Sequence, residues 1–210
     1  GLNPAIVPEQ ELRNRIVNMF QLINIKNDVE EIHFYGAGCG TPKPIEILKT
    51  ILESIFVNAT VFISEDMLAA VYAASGKKPA IVCILGTGSN SCYFDGENMK
   101  TLVPSLGYIL MDEASGNYFG KRLLIDYYYN QMPLEIAQEF KNEFNLDVDY
   151  IKKNLYRTPN PNMYLASFAK FMFIFKDNDY IKEIITCGFQ EFFKYKILPF
   201  NKTAETPIYF

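Results

Sequence analysis

The chain has 210 residues, which allows one large domain or two small ones. Hydrophobic residues make up 49% and charged residues 21%, a balance typical of a folded globular protein and unlike that of a disordered one. The net charge is −4, so we expect no basic face and no nucleic-acid partner. No apolar run reaches the ~18 residues that span a bilayer, so we expect no membrane partner.

The cysteines predict reduced, mostly packed thiols. They are Cys39, Cys83, Cys92 and Cys187, and none forms a CxxC pair or a Cys/His cluster with zinc spacing. We therefore assign no metal ligand to the chain. The first residues lack the basic-then-apolar pattern of a signal peptide. These features together predict a cytoplasmic protein.

Helical and strand patterns alternate in the first third of the chain. Apolar residues spaced for one helical face predict a helix over residues 9–23, and Glu31–Tyr35 is typical of a short strand. Pro42 suits the first turn of a second helix. A strand at Thr60–Ile63 and a short helix over Met67–Ala74 follow. This order predicts an α/β layer with parallel strands.

A polar stretch with glycine and proline, Ser75–Pro79, predicts a boundary between two domains, residues 1–76 and 79–210. Beyond it, Ala80–Leu85 is apolar throughout, as in a buried strand, and Ser91–Phe94 predicts its hairpin partner.

The rest of the chain is mainly helical in pattern. The segment Tyr164–Phe175 is apolar almost all round and predicts a buried helix. Thr206–Phe210 predicts a last strand.

Three short stretches carry residues suited to chemistry, and each has a structural alternative. Gly86-Thr87-Gly88-Ser89 could cradle a phosphate with backbone N–H groups and hydroxyls, or could be a tight turn. Asp66, at the end of a strand, could take a proton from a substrate hydroxyl or cap the next helix. Asp112 and Glu113 could accept hydrogen bonds from sugar hydroxyls or cap a helix.

These motifs occur together in a familiar order, and the chain resembles the BadF/BadG/BcrA/BcrD-type ATPase family, in particular its bacterial N-acetylglucosamine kinase-like members. The resemblance runs over essentially all 210 residues. The stretches that carry it are GLNP at 1–4, FYGAGC at 34–39, SEDMLAA at 64–70, CILGTGSNSC at 83–92, LGYIL at 106–110, DE at 112–113, SG at 115–116, PN at 161–162 and YLAS at 164–167.

The resemblance implies an α/β fold of two ribonuclease-H-like domains around a cleft, as in the actin-like ATPase superfamily, with a large helical part in the second domain. It implies ATP and Mg²⁺ as cofactors and phosphoryl transfer to an amino sugar, here the 6-hydroxyl of N-acetylglucosamine or a related sugar. By matching position it implies Asp66 as the general base. It likewise implies Asn3, Asp112 and Glu113 as sugar ligands, and Gly86–Ser89 as a phosphate-binding turn.

The sequence departs from the family at two glycine positions, which hold Met111 and Ala114. The family's Asp-x-Gly-Ser-Thr-Lys turn, which holds Mg²⁺ and phosphates, has no match. The region that holds adenosine has none either. We therefore expect the sequence to be an incomplete view of a longer kinase-like protein.

Two other functions stay open. An activator ATPase of radical dehydratases would hold an iron–sulfur cluster at a dimer interface, for which Cys83 and Cys92, in predicted strands, are poorly placed. A non-catalytic sugar sensor would keep Asn3, Asp66 and Asp112 without turning over ATP. Kinases of this kind often pair through their helical C-terminal part, so a homodimer is a further expectation.

Overall fold

In the computed structural model, which describes residues 1–19, 21–202 and 205–210, strands and helices alternate through the first 77 residues. These residues form one unit, and residues 78–210 form a second. The elements of the first unit are α1 (Glu9–Met19), a 3₁₀ turn (Gln21–Ile25), β1 (Glu31–Tyr35), α2 (Pro42–Ile55), β2 (Thr60–Ser64) and α3 (Asp66–Ser75).

The two strands of the first unit are parallel, with Glu31 opposite Thr60 and Tyr35 opposite Ser64. Parallel strands need a crossover connection, and α2 supplies it. Apolar residues of α1, α2 and β2 share one buried cluster, which includes Leu12, Ile16, Leu48, Ile51, Leu52, Ile55 and Val61. The predicted parallel α/β layer is thus confirmed.

The first helix is shorter than the predicted span of residues 9–23. It ends at Met19, and a 3₁₀ turn occupies Gln21–Ile25. Phe20, which the apolar spacing places on the helix, lies outside the described residues.

A mixed sheet organises the second unit. Its strands are β3 (Ala80–Leu85), β4 (Ser89–Phe94), β5 (Met99–Lys100) and β6 (Ile208–Tyr209), in the order β5-β4-β3-β6. β3 and β4 form the predicted antiparallel hairpin, and β6 pairs in parallel with β3. The apolar run of β3 is explained by burial, since its first four residues are all buried.

Helices make up most of the remaining second unit. They are α4 (Gly116–Tyr128), α5 (Leu134–Glu143), α6 (Val148–Tyr156), α7 (Pro161–Ala169) and α8 (Asp179–Phe192). The helical core includes the fully buried Phe140, Phe168, Phe171 and Phe192. α4 and α7 are in backbone contact at Gly120, because a Cβ atom there would lie 1.8 Å from the carbonyl oxygen of Leu165.

The prediction of one buried helix over Tyr164–Phe175 is wrong in its second half. α7 ends at Ala169, and a 3₁₀ turn follows at Lys170–Phe173. Within this stretch Phe171 is buried, whereas Phe173 is 81% exposed and Ile174 63% exposed. The change of helix type takes these two apolar side chains out of the core, so an all-apolar pattern does not imply burial on every side.

The structure is an α/β fold in its described residues. The strand orders of the two units do not by themselves define a ribonuclease-H-like topology, so this part of the expectation stays a prediction. Within the described ranges, no helix has the length and the apolar character needed to span a membrane.

We expect thiol reagents to modify Cys187 faster than Cys83. Cys187 is exposed, whereas Cys83 is buried in β3. Burial, followed by the neighbouring Cys92, raises the pKa of the Cys83 thiol to about 12, so the reactive thiolate is a minor form near neutral pH. Peptide mass spectrometry during iodoacetamide labelling measures the order, and the same labelling in denaturant is the control. Equal rates at both cysteines of the native protein would contradict this packing.

Candidate functional site

A glycine-rich loop of the first unit, residues 36–40, contacts Asn3. The Asn3 side-chain oxygen accepts a hydrogen bond from the Ala5 amide at 2.9 Å. The same oxygen would lie 1.9 Å from a Cβ atom at Gly38, whose φ of +84° is in the region that favours glycine. Any larger residue at position 38 would therefore displace Asn3.

Asp66 is the first residue of α3, and only Glu65 separates it from the end of β2. Its side chain is exposed, and one carboxylate oxygen accepts from the Met67 amide at 2.9 Å. The N-cap of α3 is Glu65, so the alternative role of Asp66 as the helix cap is wrong. A carboxylate in the first turn of a helix interacts favourably with the helix dipole.

Glu65 and Cys39 share this corner with Asp66. Burial, then the charge of Asp66, raises the pKa of Glu65 above its ordinary value. Burial, then Asp66 and Glu65, likewise raises the pKa of the Cys39 thiol. A Cβ atom at Gly40 would lie 3.5 Å from the Glu65 carboxylate. The first unit thus brings Asn3 and the Glu65–Asp66 pair to the same loop.

The turn between β3 and β4, Gly86–Gly88, is joined to the start of α4 in the second unit. The Gly86 amide donates to the Gly88 carbonyl at 2.9 Å and closes the hairpin. The Gly86 carbonyl accepts from the Gly116 amide at 2.8 Å, and the Thr87 carbonyl accepts from the Asn117 amide at 3.0 Å. Amides at the start of a helix lack partners within the helix, and here the turn supplies them.

The Asp112 carboxylate lies beneath this turn and is almost fully buried, with 6% exposed. Its Oδ1 accepts from the Ser89 amide at 3.4 Å, and its Oδ2 accepts from the Asn117 side chain at 2.9 Å. The Ser89 hydroxyl donates to the Glu113 carbonyl at 2.7 Å. A Cβ atom at Gly88 would lie 2.7 Å from Asp112 Oδ2, so only glycine leaves room for the carboxylate.

Several polar groups of this corner have no partner among the described residues. Glu113 Oε2 and Asn117 Oδ1 are buried there without a hydrogen bond. Within the described residues, the amides of Thr87 and Gly88 and the Thr87 hydroxyl donate to no protein acceptor. Apart from its two chain neighbours, no described residue lies within 4 Å of a Cβ placed on Gly86, so there is open space beside the turn. Unpartnered amides, a hydroxyl and open space fit a phosphate group.

The helix cap of α4 is Ser115, whose hydroxyl accepts from the Tyr118 amide at 3.3 Å. The alternative in which Asp112 and Glu113 cap this helix is therefore wrong. The backbone at Asp112 and Ala114 is left-handed, with φ of +74° and +57°. Alanine pays about 1–2 kcal/mol in this conformation, which explains why glycine would suit position 114.

Two residues of this corner lie outside the sequence-based candidates. Asn117 sits inside the first turn of α4 and is 1% exposed. Lys196 is buried, its ammonium lies 3.9 Å from the Met111 sulfur, and its carbonyl accepts from the Ser91 hydroxyl at 2.6 Å. Neither residue belongs to a recognisable motif, because each acts through contacts that only the folded chain creates.

The described residues contain no group of three or more His, Cys, Asp or Glu side chains that could hold a metal ion. Mg²⁺ in phosphate-transfer sites is usually held by substrate phosphates, waters and one or two carboxylates. The open space beside the turn is compatible with that mode of binding.

No model of a known protein family matches the chain, and no curated protein matches it. Two crystal structures of bacterial proteins, each described as a putative N-acetylglucosamine kinase, are similar to it. The protein from Chromobacterium violaceum shares 17% identity with a TM-score of 0.57, over 75% of this chain and 57% of that one. At that identity the likeness shows the fold alone.

The protein from Porphyromonas gingivalis is much more similar. The two share 33% identity with a TM-score of 0.88, and the match covers 100% of this chain and 75% of that one. Such identity over so much of both molecules establishes common descent as well as a common fold. The chain therefore belongs to the sugar kinase family represented by the Porphyromonas gingivalis protein.

Proposed function

We propose that this protein transfers the terminal phosphoryl group of Mg-ATP to an amino sugar, most simply to the 6-hydroxyl of N-acetylglucosamine. The observation that carries the proposal is the corner of the second unit. There a turn with unpartnered amides adjoins the buried Asp112 and the half-buried Glu113, whose buried Oε2 accepts from no described residue. A sugar kinase needs both features, because it must bind phosphates and orient hydroxyl groups.

In this proposal the turn contacts phosphate through the amides of Thr87 and Gly88 and through the Thr87 hydroxyl. Gly86 keeps the space beside the turn open. Ser89 supports the turn from below, since its amide and hydroxyl are bonded to Asp112 and Glu113. Bound Mg²⁺ would neutralise charge on the phosphates during transfer.

Asn3, Asp112 and Glu113 are the proposed sugar ligands. A carboxylate oxygen has two lone-pair sites, so each oxygen of Asp112 keeps accepting capacity beside its one protein donor. A buried acceptor without a donor costs about 1–3 kcal/mol, which a sugar hydroxyl at Glu113 would recover. The Asn3 side chain keeps two N–H donors for a sugar oxygen.

Asp66 is the proposed general base. As the sugar oxygen forms its bond to phosphorus, the bond from phosphorus to the oxygen of ADP breaks, and the hydroxyl proton passes to the Asp66 carboxylate. An exposed carboxylate at the end of a parallel strand is placed where α/β folds usually bind substrates.

The rival function of a dehydratase activator receives no support from Cys83 and Cys92. Cys83 and Cys92 are buried on β3 and β4, so neither is presented to a cluster on a subunit surface. The sensor function differs from the kinase only in turnover, so one assay separates them.

The test is ADP release from Mg-ATP by the purified protein, with and without N-acetylglucosamine. We expect release that depends on the sugar, and N-acetylglucosamine 6-phosphate as the product by mass spectrometry. Glucose is the matched control, because it offers the same 6-hydroxyl without the acetamido group. Sugar binding in calorimetry without ADP release would replace the kinase by the sensor, and the absence of both would overturn the proposal.

A further inference from the structure

The Asn117 side chain joins two parts of the second unit that the proposed function assigns to different substrates. Its amide nitrogen donates to the Thr87 carbonyl at 2.6 Å and to Asp112 Oδ2 at 2.9 Å. Its backbone amide donates to the same Thr87 carbonyl at 3.0 Å. Thr87 lies in the proposed phosphate turn, and Asp112 is a proposed sugar ligand.

Few side chains could replace Asn117 in this place. A primary amide carries two N–H donors on one atom, and here both have acceptors. Aspartate has the same shape but no donor, and it would set a carboxylate against Asp112. Leucine has a similar branched outline but is larger and has no polar group. The side chain is 1% exposed, so water cannot take over its role without opening the corner.

The contact is also tight on its other side. The Asp112 carboxylate packs closely against Gly88, the last residue of the turn. A Cβ atom on Gly88 would lie only 2.7 Å from Oδ2. A shift of the carboxylate therefore presses on the turn, and a shift of the turn pulls on Asn117. The two parts have to move together.

We infer that Asn117 is a positioning residue that couples the phosphate turn to the Asp112 carboxylate, so that ATP and sugar favour each other's binding. The inference rests on the proposed function for its two ligands. Coupling of binding is reciprocal: if the sugar tightens ATP binding by some factor, ATP tightens sugar binding by the same factor. Factors of about 5- to 150-fold are typical of such coupling.

The first arm of the test needs no ligand. Hydrogen exchange is measured at the Gly86 and Ser89 amides, which have acceptors in the native turn, in the wild type, in Asn117→Leu, in Asp112→Asn and in the double variant. We expect Asn117→Leu to speed exchange by about 10-fold or more, and the double variant to exceed the faster single variant by little, as in a shared network. Tyr118→Phe is the control, since it removes a neighbouring hydrogen bond to Glu191 and leaves the turn intact. Unchanged exchange in Asn117→Leu would overturn the inference.

The second arm measures how the KM for N-acetylglucosamine depends on ATP concentration. In the wild type we expect the KM to fall about 5-fold or more between low and saturating ATP. In Asn117→Leu and Asn117→Asp this dependence should disappear, while Tyr118→Phe keeps it. A destabilised but still coupled enzyme would retain the dependence, so this readout separates positioning from a merely structural role.

The two arms also separate this inference from the proposed function. If the wild type releases no ADP with sugar, the kinase proposal fails, and the exchange arm still decides whether Asn117 holds the turn to Asp112. If the wild type is active but its KM does not depend on ATP, or if the dependence survives in Asn117→Leu, the coupling is overturned and the kinase proposal stands.

Discussion

Replacing Asp66 with asparagine should lower sugar-dependent turnover by about 10²- to 10⁴-fold, the usual contribution of a general base. Asparagine keeps the shape of the side chain but removes its charge and its ability to take a proton. Sugar affinity should change much less, because Asp66 acts on the reacting hydroxyl. Steady-state kinetics give kcat, and calorimetry with N-acetylglucosamine gives the affinity.

Glu65→Gln is the matched control, because Glu65 is the adjacent carboxylate and contacts the same loop. We expect its turnover to stay within a few-fold of the wild type. This control tests a real alternative for the base. The pKa of Glu65 is raised, and raised carboxyl pKa values are common in catalytic bases. A large loss in Glu65→Gln with a small loss in Asp66→Asn would move the base to Glu65.

Replacing Gly120 with alanine should lower the free energy of unfolding by roughly 2–3 kcal/mol, the upper range for overpacking. The new Cβ atom would lie 1.8 Å from the Leu165 carbonyl oxygen and 2.7 Å from its carbon. Both atoms belong to the backbone of α7, so the clash is relieved only by separating α4 from α7. Alanine gains about 1 kcal/mol of helix propensity, which offsets part of the loss. Denaturant unfolding followed by circular dichroism measures the effect.

Gly188→Ala controls for helix propensity, because Gly188 also lies inside a long helix, α8. Its new Cβ atom would lie 2.7 Å from a carbon of the Phe119 ring. That ring can move away when the Phe119 side chain rotates. We expect a loss of no more than about 1 kcal/mol in this variant. Equal losses in the two variants would show that the α4–α7 backbone contact is not what limits position 120.

The sequence predicted the elements whose signals are local. The β3–β4 hairpin is an example, because its signals all lie within one short segment: an apolar run, glycines after it and a returning strand. The parallel pairing of β1 and β2 follows from the strand–helix–strand order. Asp66 could be chosen as a candidate because it follows a strand, where folds of this class place functional groups. Gly86–Ser89 could be chosen because glycine amides and hydroxyls suit a phosphate.

Features that depend on distant contacts could not be predicted in this way. Nothing in the segment after Ala169 marks the change to a 3₁₀ turn, since it contains no glycine or proline before Phe175. Asn117 carries no motif, and its partners at Thr87 and Asp112 are 30 and 5 residues away. The left-handed backbone at Ala114 contradicts the preference of alanine and is imposed by its surroundings.

The start of α4 is bonded to the hairpin turn, and the middle of the same helix touches the backbone of α7. This connection is rigid, because both contacts are made by backbone atoms and neither depends on a flexible side chain. We therefore expect a movement of the turn to displace α7 as well. Spectroscopic probes placed on the surface of α7 would consequently report on events at the turn, although α7 itself provides none of its atoms.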